Sequence, residues 1–375
     1  MQNADGDVVK LPFYARATIF LVGISALIAL LYIAKSIIIP IVFATIVAVM
    51  LSPLVDLMVR IKFNRVLAIT IVMVLTFIFI FAFISLIISQ VSHFGDSWPA
   101  LVEKFTGIIN QTISEAADYF NKDPQKIHEW FSKTQSEIIN SSTAAIGQTL
   151  VIVGSGLVVL FLLPVYIFLI MFYQPLLLDF IHKLFGSDNK NKISEIVSQI
   201  KTVIQRYLFG LLIEAVIIAA LDTAALLVLG IEYALLLGII GALLNMIPYL
   251  GGLVAVAMPM MVALVTKSSP VFAIYVLIAY YIIQLIDNNY IVPYIVASKV
   301  KINALFSIIV VIAGNMLWGI PGMFLSIPML AIVKLVCDHI DPLKPWGFLL
   351  GDTMPPLIKM DSILKKIKIK PAVKE

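Results

Sequence analysis

The chain has 375 residues, 61% hydrophobic and 13% charged, whereas an average soluble domain is roughly half apolar and a quarter charged. The apolar residues gather in runs of about 20 or more, enough to cross a hydrocarbon core roughly 30 Å thick, which excludes a water-soluble globule and predicts an all-α integral membrane protein. A net charge of +4, lying at the borders of the apolar runs, argues against nucleic acid and for membrane lipid as a partner, and the lone Cys337 excludes an internal disulfide.

Hydropathy predicts about eight spans: Ala17 to Ala34, Ile37 to Val59, Val66 to Val91, Leu150 to Phe172, Val203 to Leu229, Tyr233 to Thr266, Val271 to Tyr290 and Ala304 to Val336. The first exceeds the apolar core of about 7–15 residues typical of a cleavable signal and lacks an A-x-A exit, so it is expected to stay as a span. The sixth and eighth regions are longer than one crossing needs and are interrupted by Gly and Pro, as helical hairpins, broken helices or re-entrant segments would be.

Positive charge sets the orientation. Arg60, Lys62 and Arg65 follow the second span, Lys183, Lys190, Lys192 and Lys201 follow the fourth, and five lysines crowd the tail from Lys359 to Lys370. These segments and both termini are expected in the cytoplasm, in a bacterial inner membrane. Residues 92–148 carry four lysines against seven acids and are expected outside. Lys299 and Lys301 would then also be outside, a minor violation. The organisation is therefore residues 1–91 with three spans, 92–148 as an extracytoplasmic insert of two amphipathic helices, 149–336 as a transport core, and 337–375 as a basic cytoplasmic tail. Leu176 to Phe185, Ile193 to Ile204 and Leu357 to Ile369 are also amphipathic and basic, suiting the lipid interface.

Enzyme machinery is missing. There is no G-x-x-x-x-G-K-[ST] loop and no H-E-x-x-H, and the histidines His93, His128, His182 and His339 all fall outside the spans. Gly154, Ser155 and Gly156 read as small residues at a helix crossing rather than as a nucleophile motif. No catalytic residue, cofactor or metal is expected.

Polar residues inside spans are costly, so they are the functional lead. The fifth span carries Gln205, Arg206, Glu214 and Asp222. Arg206 lies near the cytoplasmic end, where it can snorkel to water. Glu214 and Asp222 are eight residues apart, roughly on one face, and are candidates for proton or cation coupling together with Arg206. In the alternative, Asp222 sits near the outer water and Glu214 pairs with a basic neighbour. Gln284, Asp287 and Asn288 share a face before Pro293 and could hydrogen-bond a hydroxylated solute, ligate a cation or simply cap the helix end.

An internal echo joins the sixth and eighth regions. Asn245, Met246, Ile247, Pro248, Tyr249, Leu250 and Gly251 parallel Asn315, Met316, Leu317, Trp318, Gly319, Ile320, Pro321 and Gly322. Paired Gly/Pro-interrupted segments point to discontinuous helices around a transport site. The expectation is that the breaks at Pro248 and Pro321 face each other near the bilayer centre beside Asn245, Tyr249 and Asn315; the alternative is a pair of packing kinks.

These residues resemble the autoinducer-2 exporter family of bacterial permeases. The match rests on Pro40 with Leu51, Ser52, Pro53 and Leu54, on the block GALLNMIPYLGG with Pro259, and on QLIDNNYIVPYIVASKVKINAL with the Gly-rich final span, and it covers about residues 10 to 345. The resemblance implies a secondary transporter with a homo-oligomeric, pentameric assembly. It implies export of autoinducer-2, the small hydroxylated molecule of quorum sensing, or, as in other members, sodium or lithium/proton antiport. The family's signature positions fall on Asn245, Pro248, Tyr249, Gly251, Gln284, Asp287 and Pro293; Ser298 departs from the family's glycine. Export of a small polar organic solute is the first reading and cation/proton antiport the alternative. Burial would let Glu214, Asp222 or Asp287 exchange protons for cations, whereas Asn245, Tyr249, Gln284 and Asn315 suit a neutral polyol.

Overall fold

A computed structural model of the chain describes residues 12–120, 162–184, 190–246, 251–296 and 302–352. Nearly all of them are helical, and the described residues contain no strand beyond an isolated bridge between Ile302 and Gly351. In hydrocarbon every backbone N–H and C=O must be satisfied internally, and a helix does this within one segment.

The helices are α1 (Phe13–Ile33), α2 (Lys35–Arg60), α3 (Arg65–Phe120), α4 (Leu162–Phe172), α5 (Gln174–Leu184), α6 (Lys190–Val228), α7 (Ala234–Asn245), α8 (Gly251–Thr266) and α9 (Val271–Ile286). After a π-helical segment (Asp287–Val296) come α10 (Ala304–Trp318), α11 (Ile320–His339), a 3-10 turn (Asp341–Leu343) and α12 (Lys344–Leu350). Six of the described helices are long and apolar enough to cross a membrane, or seven if α4 and α5, bent by 61°, form one span. The expected eighth is missing from this count because the Tyr233 to Thr266 region is divided. α7 has 12 residues and α8 has 16, about 18 and 24 Å at 1.5 Å per residue, short of the bilayer core. They pack on each other, Gly241 of α7 against Ala255 of α8 near the break, with Leu237 and Val262 in one core, so the region is a hairpin.

The Ala304 to Val336 region is also a hairpin, turning at Gly319 (φ +66, ψ −143), a backbone region that only glycine occupies without strain. Pro321 follows within the first two positions of α11, where a missing N–H costs nothing. The limbs touch closely: the Ser326 hydroxyl lies 2.8 Å from the Val310 carbonyl and 2.6 Å from that of Gly322.

α3 differs from expectation. The third span and the first insert helix form one unbroken helix of 56 residues, about 84 Å long, because nothing between Val91 and Trp98 stops it. From the end of the apolar stretch at Gly95 onward it packs Trp98, Leu101 and Phe105, with Phe94 just before, onto the core shared by α6, α7 and α8, and the Tyr233 hydroxyl donates to Ser97 Oγ at 2.7 Å. The second insert helix, the tail from Lys359 and most of the segment from Leu150 to Phe172 lie outside the described residues.

Prolines inside helices free carbonyls, and the fold covers one of them directly. Pro53 of α2 cannot donate to the Val49 carbonyl, which instead accepts from Gln205 Nε2 of α6 at 2.7 Å and from Ser52 Oγ at 2.9 Å. Gln205 thereby ties α6 to α2. Around this contact, Ile46, Ile204, Tyr207, Leu208, Leu211 and Leu325 form one core, bordered by Met246 at the end of α7 and Trp318 at the end of α10. α1 has no buried residue and touches the rest mainly near its C-terminal end, where Trp318 Nε1 donates to the Leu31 carbonyl at 3.1 Å.

Candidate functional site

α6 is an apolar helix interrupted on one face by Glu214 and Asp222, which are only 6% and 2% exposed. α7 runs back alongside it and ends at Asn245. α9 passes the same face and gives way to π-helical winding at Asp287, whose side chain is 1% exposed. Wider turns of this kind are rare and are frequently found at functional sites. Here Pro293 within the segment has no N–H to donate, and Asn289 Nδ2 donates to the Leu285 carbonyl at 2.8 Å.

The three elements meet at Asn245. Its Nδ2 lies 3.0 Å from Asp287 Oδ2 and 3.5 Å from Glu214 Oε1, so one amide stands between carboxyl groups from two other elements. Gln284 Nε2 adds a longer contact to Asp287 Oδ2 at 3.4 Å and reaches Asn288 Oδ1 at 3.5 Å. Gly252 of α8 makes room for Gln284, because a side chain there would overlap its carboxamide. The other Asp287 oxygen, Oδ1, is buried and has no hydrogen-bond partner among the described residues.

Asp222 lies two turns farther along α6. A methyl group added to Gly241 of α7 would stand 2.9 Å from Asp222 Oδ2 and 3.7 Å from the Tyr280 hydroxyl of α9, so the missing side chain opens a notch between them. Among the described residues, no ion pair involves Glu214, Asp222 or Asp287. No group of three or more His, Cys, Asp or Glu side chains among them is arranged to hold a metal ion. A charged carboxyl at membrane depth costs about 2.5–3.5 kcal/mol even on insertion scales, so three together are a large expense for an architectural role. The chemistry on offer is amide donation, carboxyl acceptance and proton exchange.

The residues singled out from sequence are only partly assembled. Glu214, Asn245, Gln284 and Asp287 come together, with Asp222 close by. Asn288 sits at the edge with its side chain exposed, and Gly251 begins α8. Arg206 is exposed and lies eight residues, about 12 Å along the axis, from Glu214. Asn315 is exposed in the last turn of α10, and Pro321 is half-buried. Met246 and Trp318 bring the ends of α7 and α10 to one apolar core, yet no hydrogen bond between described residues joins Asn315 to Asn245. Pro248 and Tyr249 lie outside the described residues, as does Ser298. Sequence reasoning missed Tyr280 and the role of Gly241. Tyr280 precedes Asp287 by seven residues, two helical turns, a spacing that could have placed it on the same face.

Comparison with known proteins identifies the chain's relatives. The model of the AI-2E family transporter matches residues 21–341, which include every residue of the cluster. "Putative transport protein YrrI" of Bacillus subtilis is 22% identical over 313 residues, 81% of this chain and 87% of that protein. "AI-2 transport protein TqsA" of Escherichia coli is 23% identical over 318 residues, 82% of this chain and 87% of its own length. "Putative permease PerM" of the same species is 23% identical over 249 residues, covering 63% and 69%. A polar cluster enclosed by apolar helices and a family match over most of the length lead to one conclusion: this multi-pass membrane protein belongs to the AI-2E family of transporters.

Proposed function

We propose that the chain is a secondary transporter that exports a small polar organic solute of the autoinducer-2 type, along a path beside Asn245, Gln284 and Asp287. The observation that carries this reading is the Asn245 amide held between Glu214 and Asp287 inside an apolar bundle. Amides and carboxyls presented together can exchange hydrogen bonds with a hydroxylated solute as it sheds water. TqsA, named as an AI-2 transport protein, supplies the solute class. The protein works as a homo-oligomer, a pentamer by the resemblance, in the bacterial inner membrane with both termini cytoplasmic. By the same proposal Pro248, Tyr249, Gly251, Asn288, Asn315 and Pro321 are further candidates for residues of the path.

Sodium or lithium/proton antiport is the second reading, favoured by three buried carboxyls without a cationic partner among the described residues. Proteoliposomes separate the two. Labelled autoinducer-2 flux that collapses in Asn245→Ala, with no response to an imposed sodium gradient, supports export; sodium-driven proton movement without solute flux supports antiport instead.

A further inference from the structure

Glu214 and Asp287 share the Asn245 amide, but Asp222 shares nothing. No hydrogen bond reaches its carboxyl from any described residue, and its Oδ1 is fully buried without a partner. The Tyr280 hydroxyl is also buried without a partner among the described residues. Both groups border the notch at Gly241, Asp222 through its other oxygen, Oδ2, and Tyr280 through its hydroxyl, with Ala255 of α8 also at its side. Two unsatisfied polar groups turned toward one small space amid apolar packing are expensive unless something polar occupies it.

The charged groups around Asp222 narrow what that occupant is. From α6 the titratable neighbour is Glu214, two turns away; from α9 it is Tyr280, and from the π-helical segment Asp287. The described parts of α7 and α8 contribute none at the notch. Lys267, in the α8–α9 connection, lies beside Gly230 and 5.2 Å over the Phe272 ring rather than at the carboxyl. The neighbourhood is thus acidic or neutral on every described side, which favours a bound positive charge, and among the described residues no group of three or more His, Cys, Asp or Glu side chains stands there to hold a metal ion.

We propose that Asp222, facing Tyr280 across the notch at Gly241, is a proton-binding site separate from the amide cluster at Asn245. The step is a plain protonation: one proton joins a carboxylate oxygen to give the neutral acid and leaves by the same bond. This assignment rests on the reading of the chain as a secondary transporter, because a site that loads and releases one proton per cycle ties solute movement to a proton gradient. Dividing the labour also explains why Asp222 stands two turns from Glu214 instead of joining the amide network.

The test is infrared difference spectroscopy of the full chain in lipid nanodiscs, stepped between acid and alkaline pH. The expected result is a carboxylic-acid C=O band that appears on acidification, disappears in Asp222→Asn, and moves in frequency in Tyr280→Phe and Gly241→Ala. Size-exclusion profiles and helix content of the variants, compared with the parent, identify any that misfold, and Asp222→Glu keeps a band if the site tolerates the longer acid. Persistence of the full set of pH-sensitive carboxyl bands in folded Asp222→Asn overturns the proposal. Loss of the band on adding sodium at constant pH overturns it too, by making the site one for a metal cation. An intact band in protein that moves no solute in proteoliposomes leaves the proton site standing and sinks the solute-export reading alone.

Discussion

At Asn245 a single side-chain amide, 31 residues from Glu214 and 42 from Asp287, substitutes for the water that two carboxyl groups lost on entering the bundle. Truncating it leaves Asp287 Oδ2 with only the 3.4 Å contact from Gln284. A hydrogen bond to a charged group contributes about 1.5–3 kcal/mol. If the solute depends on that amide more in its occluded state than at entry, Asn245→Ala should lower the maximal transport rate by about tenfold or more, since 1.4 kcal/mol is a factor of ten. Folding should be less affected, because the apolar walls around the residue are untouched. Transport rates at matched membrane abundance, together with the thermal transition of the purified protein, check both parts; a normal rate would place the path elsewhere. Gly252 acts on the same network by leaving room for Gln284, so Gly252→Val should reproduce the phenotype of Gln284→Ala.

At the level of elements, the breaks differ in kind. Gly319 turns the α10–α11 hairpin with a positive φ, and Ser326 at its side bridges to α10. A residue with a Cβ in that conformation is strained by about 1–3 kcal/mol. Gly319→Ala is therefore expected to lower thermal stability by that amount without touching any polar group of the candidate site. Unfolding of detergent-solubilised protein measures it, and an unchanged transition would mean that the turn relaxes easily. The second proline of α2 behaves differently: the helix runs on through it, and the carbonyl freed by Pro53 is taken up by Gln205 and Ser52 as a joint between helices. α9 meets its interruption by widening into π-helical turns that carry Asp287 inward.

For the whole molecule, the length of α3 has the largest consequence. The stretch from Arg65 to Gly95 is long and apolar enough to cross the bilayer, and the remaining turns to Phe120 continue the helix beyond it, held at their base by Phe94, Trp98 and Tyr233. If, as proposed, Arg60, Lys62 and Arg65 mark the cytoplasmic side, that continuation is expected outside. In a Cys337→Ser background, a cysteine at exposed Glu103 should react with an impermeant thiol reagent on intact cells, and one at Lys62 only after permeabilisation. The opposite pattern would invert the topology. α1, without a buried residue, is stable against lipid as it stands and is equally free to meet another copy; native mass spectrometry from nanodiscs should show a homo-oligomer, and a monomer alone would contradict the proposed assembly.

Much of this was legible from composition and spacing. Membrane residence, the positions of most spans and the shared face of Glu214 and Asp222 are local properties: a crossing needs about 20 apolar residues in a row, and a helix repeats every 3.6. The Gly and Pro interruptions also announce themselves, because a missing N–H or a missing Cβ acts within a turn of its own position. Tertiary structure decided the rest. Whether an interrupted run crosses or folds back depends on what its two limbs pack against, and here Gly241 against Ala255 makes the Tyr233 to Thr266 region a hairpin. Which polar groups meet depends on the rotation of neighbouring helices: Asn245 turns inward to two carboxyls while its sequence counterpart Asn315 stays exposed. In the bilayer an apolar helix gains little by choosing one apolar neighbour over another, since lipid is as apolar as leucine. Close contacts at small residues and a few long-range hydrogen bonds therefore select the arrangement, and their partners lie too far apart in the chain for any periodicity to reveal.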